Sequence, residues 1–554
     1  MIGVLCNEIE RDAVREFFEL FKTPWEFYNS STNYEVVLST CKETPKINSR
    51  LVIIYSSDAT QFDTPRGFSL SGCSSGVVLG EDEFNLVIYG PLSSLEGEGR
   101  TLLVQSEGKR IAVEIPEKDQ IFMRVGYNLF QEATFLLTNG QPTDYSLKPT
   151  LENHIDLLRT WIATSGITLI EIPPVPYGHS LIACITHDVD FAGIRYHKLD
   201  STFWGFLYRA LLLTPFKFIR GNSTKDRLLK NLKAVLILPL IYMGISKDFW
   251  DEFEAYAQID MEYHSTFFII PFKKQPGEKF MGVFWSQRAT QYDINDIADH
   301  VKSLRAQGFE IGLHGIDAWH NVENAKRELK RIVEVTGQDR IGIRMHYLYF
   351  AADSPSILEQ AGFDYDSTCG YNESIGFKNG TSQPFLSQGA TRLLELPMVI
   401  QDTTLFDSRR LNLNEIQAWD ICKIALDNVV KVGGVITLSW HTRSLSPERL
   451  WGEFYKKLLN ELRDRKAWFG TAIQVVDWFR QRRSVVFGAC QIQENQINIQ
   501  LKCGSIISGP HMCLRIHLAQ KVGQKKNNSQ PGFIDMPYMG EPQIQIPLSS
   551  LEEI

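Results

Sequence analysis

Two carboxylates, Asp188 and Asp190, stand two residues apart at the end of an apolar run, Leu181-Ile-Ala-Cys-Ile185. Such a run reads as a buried strand, and charge at the carboxyl end of a strand is where α/β enzymes place their chemistry. On a continuing strand the two side chains share a face. Close carboxylates repel, and a cation beside them relieves the repulsion. A second strand end, Glu310-Ile-Gly-Leu-His-Gly-Ile-Asp-Ala-Trp-His320, offers His314 and His320, with Asp317 between them. Neutral imidazole and carboxylate together suit zinc and similar divalent ions. The expected site is therefore a metal centre built from the aspartates, His314 and His320, with Asp317 competing for the place of His320. Taken singly, Asp-x-Asp is also what a solvated strand end or a glycosyltransferase metal site looks like.

Further strand ends carry groups suited to acid–base work. Arg344 closes Ile341-Gly-Ile-Arg, and its guanidinium can pair with a carboxylate and hold it ionised. His441 directly follows Val435-Ile-Thr-Leu-Ser-Trp, and histidine has the pKa range of a general acid. Asp402 follows Leu396-Pro-Met-Val-Ile-Gln and could orient that histidine. Charged groups at the carboxyl ends of successive strands are the layout of a barrel active site.

The elements that must position these groups alternate between residues 180 and 482. Strand-like runs occur at 266–270, 310–313, 341–345, 393–400 and 435–440. Between them lie helical patterns, one at 293–307 closed by Gly308 and one opened by Asn321 and closed by Gly337. Ser446-Pro447-Glu448 reads as the cap of another helix, carrying Leu450, Phe454, Leu458 and Leu462. About seven βα units point to an α/β chain with a distorted (β/α) barrel.

With 554 residues, more than one core is expected. The Pro-rich stretch Ile172-Pro-Pro-Val-Pro-Tyr-Gly178 marks a boundary. The division is 1–175, a mixed α/β N-terminal domain of unknown role; 176–483, the barrel; and 484–554, a small β appendage and polar tail. The appendage alternates with period two around a possible turn at Glu494-Asn495, and the tail beyond Lys521 is expected to be poorly ordered.

Composition excludes some classes. A net charge of −8 gives no electrostatic reason to bind nucleic acid. Nine scattered cysteines with no Cys-x-x-Cys pair suggest neither a disulfide framework nor a thiolate zinc knuckle. The first residues lack the basic and apolar segments of a signal peptide, so a reduced, cytoplasmic protein is expected. The apolar runs near 203–208 and 234–243 are shorter than the ~20 residues of a membrane span. Packed helices are the favoured reading there, and membrane-surface contact by 203–245 is the other.

The order of motifs resembles the NodB-homology polysaccharide deacetylases, carbohydrate esterase family four, over about 300 of the 554 residues. Thr186-His-Asp-Val-Asp190 resembles the family's first motif, His314 to His320 its histidine-pair motif, and Arg344-Met-His-Tyr its arginine motif. Tyr365-Asp-Ser-Thr is similar to the segment that follows, and Leu438-Ser-Trp-His441 to the last motif. The resemblance implies that Asp188 is the catalytic base, Asp190 a metal ligand and His441 the general acid. It also implies one divalent ion, zinc first among the candidates, and a sugar or polysaccharide-precursor substrate that loses an N-acetyl group. There are departures. Val189 separates aspartates that are usually adjacent, Ala318 stands where a second histidine four residues on is usual, and His346 replaces a proline. The 75 residues between Asp190 and Thr266 form a long insert beside the site. Rival readings are a hydrolase of a non-sugar amide or cyclic ureide, a glycosyltransferase, and a non-catalytic carbohydrate-binding barrel. Residues 1–175 show no Gly-rich phosphate loop, which counts against the glycosyltransferase.

Overall fold

The computed structural model describes the chain apart from residues 74, 81–84, 106–107, 118–119, 222–223, 280–287, 494–495, 505–508, 520–531 and 548–554. The possible turn at Glu494-Asn495 and most of the polar tail lie outside the described residues.

The chain is a mixed α/β protein with two large sheets. The first has nine strands, and five of them, Trp25–Phe27, Ile2–Leu5, Val36–Ser39, Leu51–Tyr55 and Gln120–Val125, run parallel in that spatial order. Leu51-Val-Ile-Ile-Tyr is buried at every position, as expected for a strand covered on both faces. Helices Arg11–Phe21, Leu129–Thr138 and Thr150–Thr164 contribute to the same apolar core.

The second sheet positions the candidate site. It has ten strands, with Leu181–Val189 near its middle. Thr266–Ile269, Glu310–Gly315 and Ile343–Met345 follow on one side, and Val435–Ser439 and Ile400–Gln401 on the other. Ala467–Gly470 also pairs with the early part of the central strand. All of these pairings are parallel, so the carboxyl ends of the strands share one rim. The register sets Thr186 opposite both Thr266 and Ser439, and His314 opposite Arg344.

The sheet curls without closing a ring of seven equal units. Beyond Ile343–Met345 the strands shrink to two residues each, Tyr365–Asp366, Leu394–Glu395 and the antiparallel Phe385–Leu386. The run 393–400 is thus two short strands, because Pro397 removes an N–H that a continuous ladder would need. The helix expected from Ser446 starts at Gly452. Leu450 adopts φ +56°, which breaks the helical path, and the Glu448 carboxylate is taken by Arg443 and the Trp250 indole N–H. The other helices follow the sequence pattern closely. Asn321 caps Val322–Thr336 by accepting from the N–H groups of Glu323 and Asn324, and Gly337 ends it at φ +64°.

The insert after Asp190 forms helices Ser201–Tyr208, Thr214–Ile219 and Lys225–Tyr242. Past Ser484 the chain makes two three-stranded sheets. One joins Val486–Gln493, Gln496–Lys502 and Gln543–Pro547. The other places Met512–His517 between Phe533–Tyr538 and Leu169–Glu171, so these late strands reach back to the N-terminal part of the chain. Arg482 ties the same seam, donating to the carbonyls of Ile172 and Leu20, and Arg483 grips Glu16 with both terminal nitrogens. Among the described residues no helix is long and apolar enough to cross a membrane.

Candidate active site

Asp188 is the penultimate residue of the central strand and is buried. Arg344 donates to its Oδ1 at 2.8 Å, and the Ser439 hydroxyl donates to its Oδ2 at 3.0 Å. Arg344 is itself fixed, with Nε on the Ser367 carbonyl at 3.0 Å, Nη2 on the Ser367 hydroxyl at 2.9 Å and Nη1 also reaching Thr186 Oγ1 at 2.6 Å. Burial alone would raise the pKa of Asp188. The Arg344 charge, with His314 and His441 nearby, outweighs it and holds the carboxyl at about 2. Asp188 is thus a carboxylate kept ionised and aimed by a rigid partner.

Asp190 lies just past the strand end. Its Oδ1 is 3.3 Å from His314 Nε2 and 3.3 Å from His346 Nε2, and its Oδ2 is 3.5 Å from His441 Nε2. One ligand atom from each of Asp190, His314 and His346 lies within 4.8 Å of the other two. His314 Nδ1 points at the Arg344 carbonyl at 3.0 Å. A carbonyl only accepts, so Nδ1 carries the hydrogen and Nε2 turns its lone pair towards Asp190. Asp190 Oδ1 accordingly has no hydrogen bond. A lone pair facing a buried carboxylate oxygen is unfavourable unless a proton or cation lies between them, and a divalent ion fits this donor set. Burial lowers His346 despite Asp190, which favours the neutral, ligating imidazole.

The third histidine differs from the sequence expectation. His320 is not part of this group. Its Nε2 lies 3.5 Å from Asp317 Oδ1, and Asp317 accepts from the Glu278 backbone N–H. The loop between is pinned away by Glu328, whose carboxylate accepts from the N–H groups of Ile316 and Asp317. His346 takes its place because the strand Ile343–Met345 lies beside Glu310–Gly315, and the chain turns sharply at once, with Tyr347 and Leu348 at positive φ. A signal for His346 was present: a histidine two residues beyond Arg344, itself the register partner of His314.

On the other side, His441 Nδ1 meets Asp402 Oδ1 at 2.6 Å. The second Asp402 oxygen accepts from the His441 backbone N–H at 2.8 Å and from the Ser444 hydroxyl. Burial would lower His441, but Asp402 foremost, then Asp190 and Asp188, raises it to about 9. It is therefore an imidazolium at neutral pH with Nε2 facing the aspartates. His187 braces this segment. Its Nδ1 lies 2.7 Å from the Trp440 carbonyl and its Nε2 2.6 Å from Asp260. The structure thus gathers Asp188, Asp190, His314, Arg344, Asp402 and His441, adds His346, Ser367, Ser439 and Ser444, and leaves out His320 and Asp317.

No protein-family model matches the chain, and no curated protein matches it. Solved structures similar to it are mostly polysaccharide deacetylases, the class that the sequence motifs resemble. A protein from Mycobacterium smegmatis assigned as a polysaccharide deacetylase is 18% identical, with 56% of this chain and 95% of that one covered and a TM-score of 0.35. An allantoinase is 12% identical, with 55% and 92% covered and a TM-score of 0.34. The polysaccharide deacetylase of Bacillus cereus is 14% identical, with 41% and 86% covered and a TM-score of 0.24.

Proposed function

We propose that this chain is a metal-dependent hydrolase that removes an N-acetyl or related acyl group from a sugar or polysaccharide precursor. The observation that carries the reading is the pairing of two opposite acid–base arms around one ligand set. Arg344 holds Asp188 as a carboxylate, Asp402 holds His441 as an imidazolium, and Asp190, His314 and His346 lie between them.

A divalent ion, zinc being our choice, would be held by Asp190, His314 and His346, and supplies Lewis acidity towards an amide carbonyl and a water. Asp188 accepts the proton that the water loses as its oxygen bonds to the acyl carbon. Arg344 keeps that carboxylate aimed and ionised beforehand. His441 delivers the Nε2 proton to the nitrogen as the C–N bond breaks, because an amine leaves poorly unless protonated. Asp402 keeps the ring oriented and charged until that moment. The products are a carboxylic acid and a free amine. We assign no catalytic residue to 1–175. All nine cysteines are unpaired, which fits the reducing cytoplasm proposed for the protein.

The test is amine release from a panel of N-acetylated sugars and nucleotide sugars, with and without added zinc. The reading expects zinc-dependent release from at least one member, abolished in Asp188→Asn. Release from a cyclic ureide but from no sugar would move the substrate class. Tight sugar binding without turnover, unaffected by Asp188→Asn, would make the chain a binding protein.

A further inference from the structure

We propose that the helical hairpin made by residues 201–221 and 224–247 docks on an anionic membrane surface, independently of the reaction assigned above. Its helices share an apolar seam in which Phe206 and Ala210 of the first limb pack with Ala234, Leu238 and Ile241 of Lys225–Tyr242. Phe203, Leu207, Val235, Ile237 and Tyr242 pack partly buried against this seam, and many of the other large apolar side chains are exposed. Twelve of the 25 large apolar side chains exposed among the described residues fall in this stretch. Leu236 is 79% exposed, Ile219 82%, Ile245 71%, Met243 62%, Leu212 61% and Trp204 56%. A water-soluble surface rarely concentrates apolar area in this way without a partner.

Charge identifies the partner. Residues 201–247 hold eight Lys and Arg against a single Asp, in a chain whose net charge is −8. Lys217, Lys225 and Lys233 are exposed and have no carboxylate partner among the described residues. An apolar surface interleaved with lysines matches a partner that has hydrocarbon beneath anionic headgroups. Trp204 and Tyr208 suit that boundary, and lysine stems can lie on apolar surface with their charge in the headgroup layer. A second copy of the hairpin is a poor fit, since pairing would bring two strongly positive faces together. The hairpin lies on the membrane and does not cross it: Lys225–Tyr242 carries four Lys and Arg together with Pro239.

The placement is pointed. The insert begins one residue after Asp190, and its base is tied to the segment after His441. Thr442 Oγ1 donates to the Phe191 carbonyl at 3.3 Å, and Asn231 Nδ2 to the Pro447 carbonyl at 3.0 Å. Docking would therefore hold the rim of the candidate active site near the bilayer surface.

Flotation of the full chain with phosphatidylcholine vesicles, with or without phosphatidylglycerol, tests this. The proposal expects flotation with the anionic vesicles only, reversed by high salt. Lys217→Glu, Lys225→Glu and Lys233→Glu together should weaken it by roughly a hundredfold. Leu236→Glu with Ile245→Glu should abolish it, and both positions are exposed enough to leave the circular dichroism spectrum unchanged. Absence of flotation by the unaltered chain, or equal flotation with neutral vesicles, would overturn the proposal. So would a dimer of the unaltered chain that Leu236→Glu with Ile245→Glu splits, since a second copy would then cover the face.

Discussion

His441 and Asp402 form a buried pair, Nδ1 to Oδ1 at 2.6 Å, with the second carboxylate oxygen bound to the backbone N–H of the same histidine. One aspartate thereby fixes both the ring and the chain that carries it, and raises the imidazole to about 9. A general acid works only while protonated, so kcat/KM should fall as pH rises through that value. A cation on Asp190 offsets part of the pull, which places the limb at or below pH 9. Asp402→Asn removes the largest favourable charge and should move the alkaline limb to lower pH. A limb that stays in place would separate Asp402 from the acid. The same pair stabilises the fold most fully below pH 6.5, and this contribution fades as pH rises through about 9.

Asp188→Asn should lower turnover by roughly a hundredfold or more while metal content is unchanged. Replacing Arg344 by Leu has a different expected signature. It leaves a buried carboxylate without its cation, which should cost about 3–5 kcal/mol in unfolding free energy. Loss of that positive charge also raises Asp188 above about 2, so the acid limb of kcat/KM should move up. An unmoved acid limb in a folded Arg344→Leu protein would remove Asp188 as the base.

The polar half of the site was legible because strand ends announce it. Apolar runs ending at Asp188, Arg344 and His441 required only that the strands be parallel, and the structure has them so. The third histidine was missed, although His346 stands two residues beyond Arg344, the register partner of His314. His320 precedes a recognisable helix cap, so spacing alone put it near His314. The deciding force is Glu328, fifteen-residue-helix partner of the loop N–H groups at 316 and 317, whose grip no local pattern reveals. The closure of the sheet was hidden for a related reason. Two-residue strands such as Tyr365–Asp366 carry too few side chains to show a period.

His187 is expected to be a brace and not a reactant, since its two nitrogens face the Trp440 carbonyl and Asp260. His187→Ala should cost about 1–3 kcal/mol by removing the partner of the Trp440 carbonyl and one of the partners of Asp260, which keeps Ser265 and Tyr455. It should also loosen His441, lowering kcat more than it changes KM. Full stability in chemical denaturation would contradict the bracing role.

Arg483, in the helix Ala472–Ser484, pairs with Glu16 of Arg11–Phe21. Arg483→Met should lower the melting temperature and leave turnover per folded chain unchanged, because 1–175 is assigned no part in the chemistry. A drop in turnover at intact fold would mean that the N-terminal part shapes the site.

If Asp190, His314 and His346 hold one catalytic divalent ion, metal content and turnover must rise and fall together with these residues. The most direct measurement is metal content by elemental analysis, taken with amine release on the same zinc-loaded samples of the unaltered chain, His346→Ala and His320→Ala. One equivalent of zinc and full activity are expected in the unaltered chain and in His320→Ala, and loss of both in His346→Ala. Zinc and activity retained without His346 but lost without His320 would contradict this ligand set.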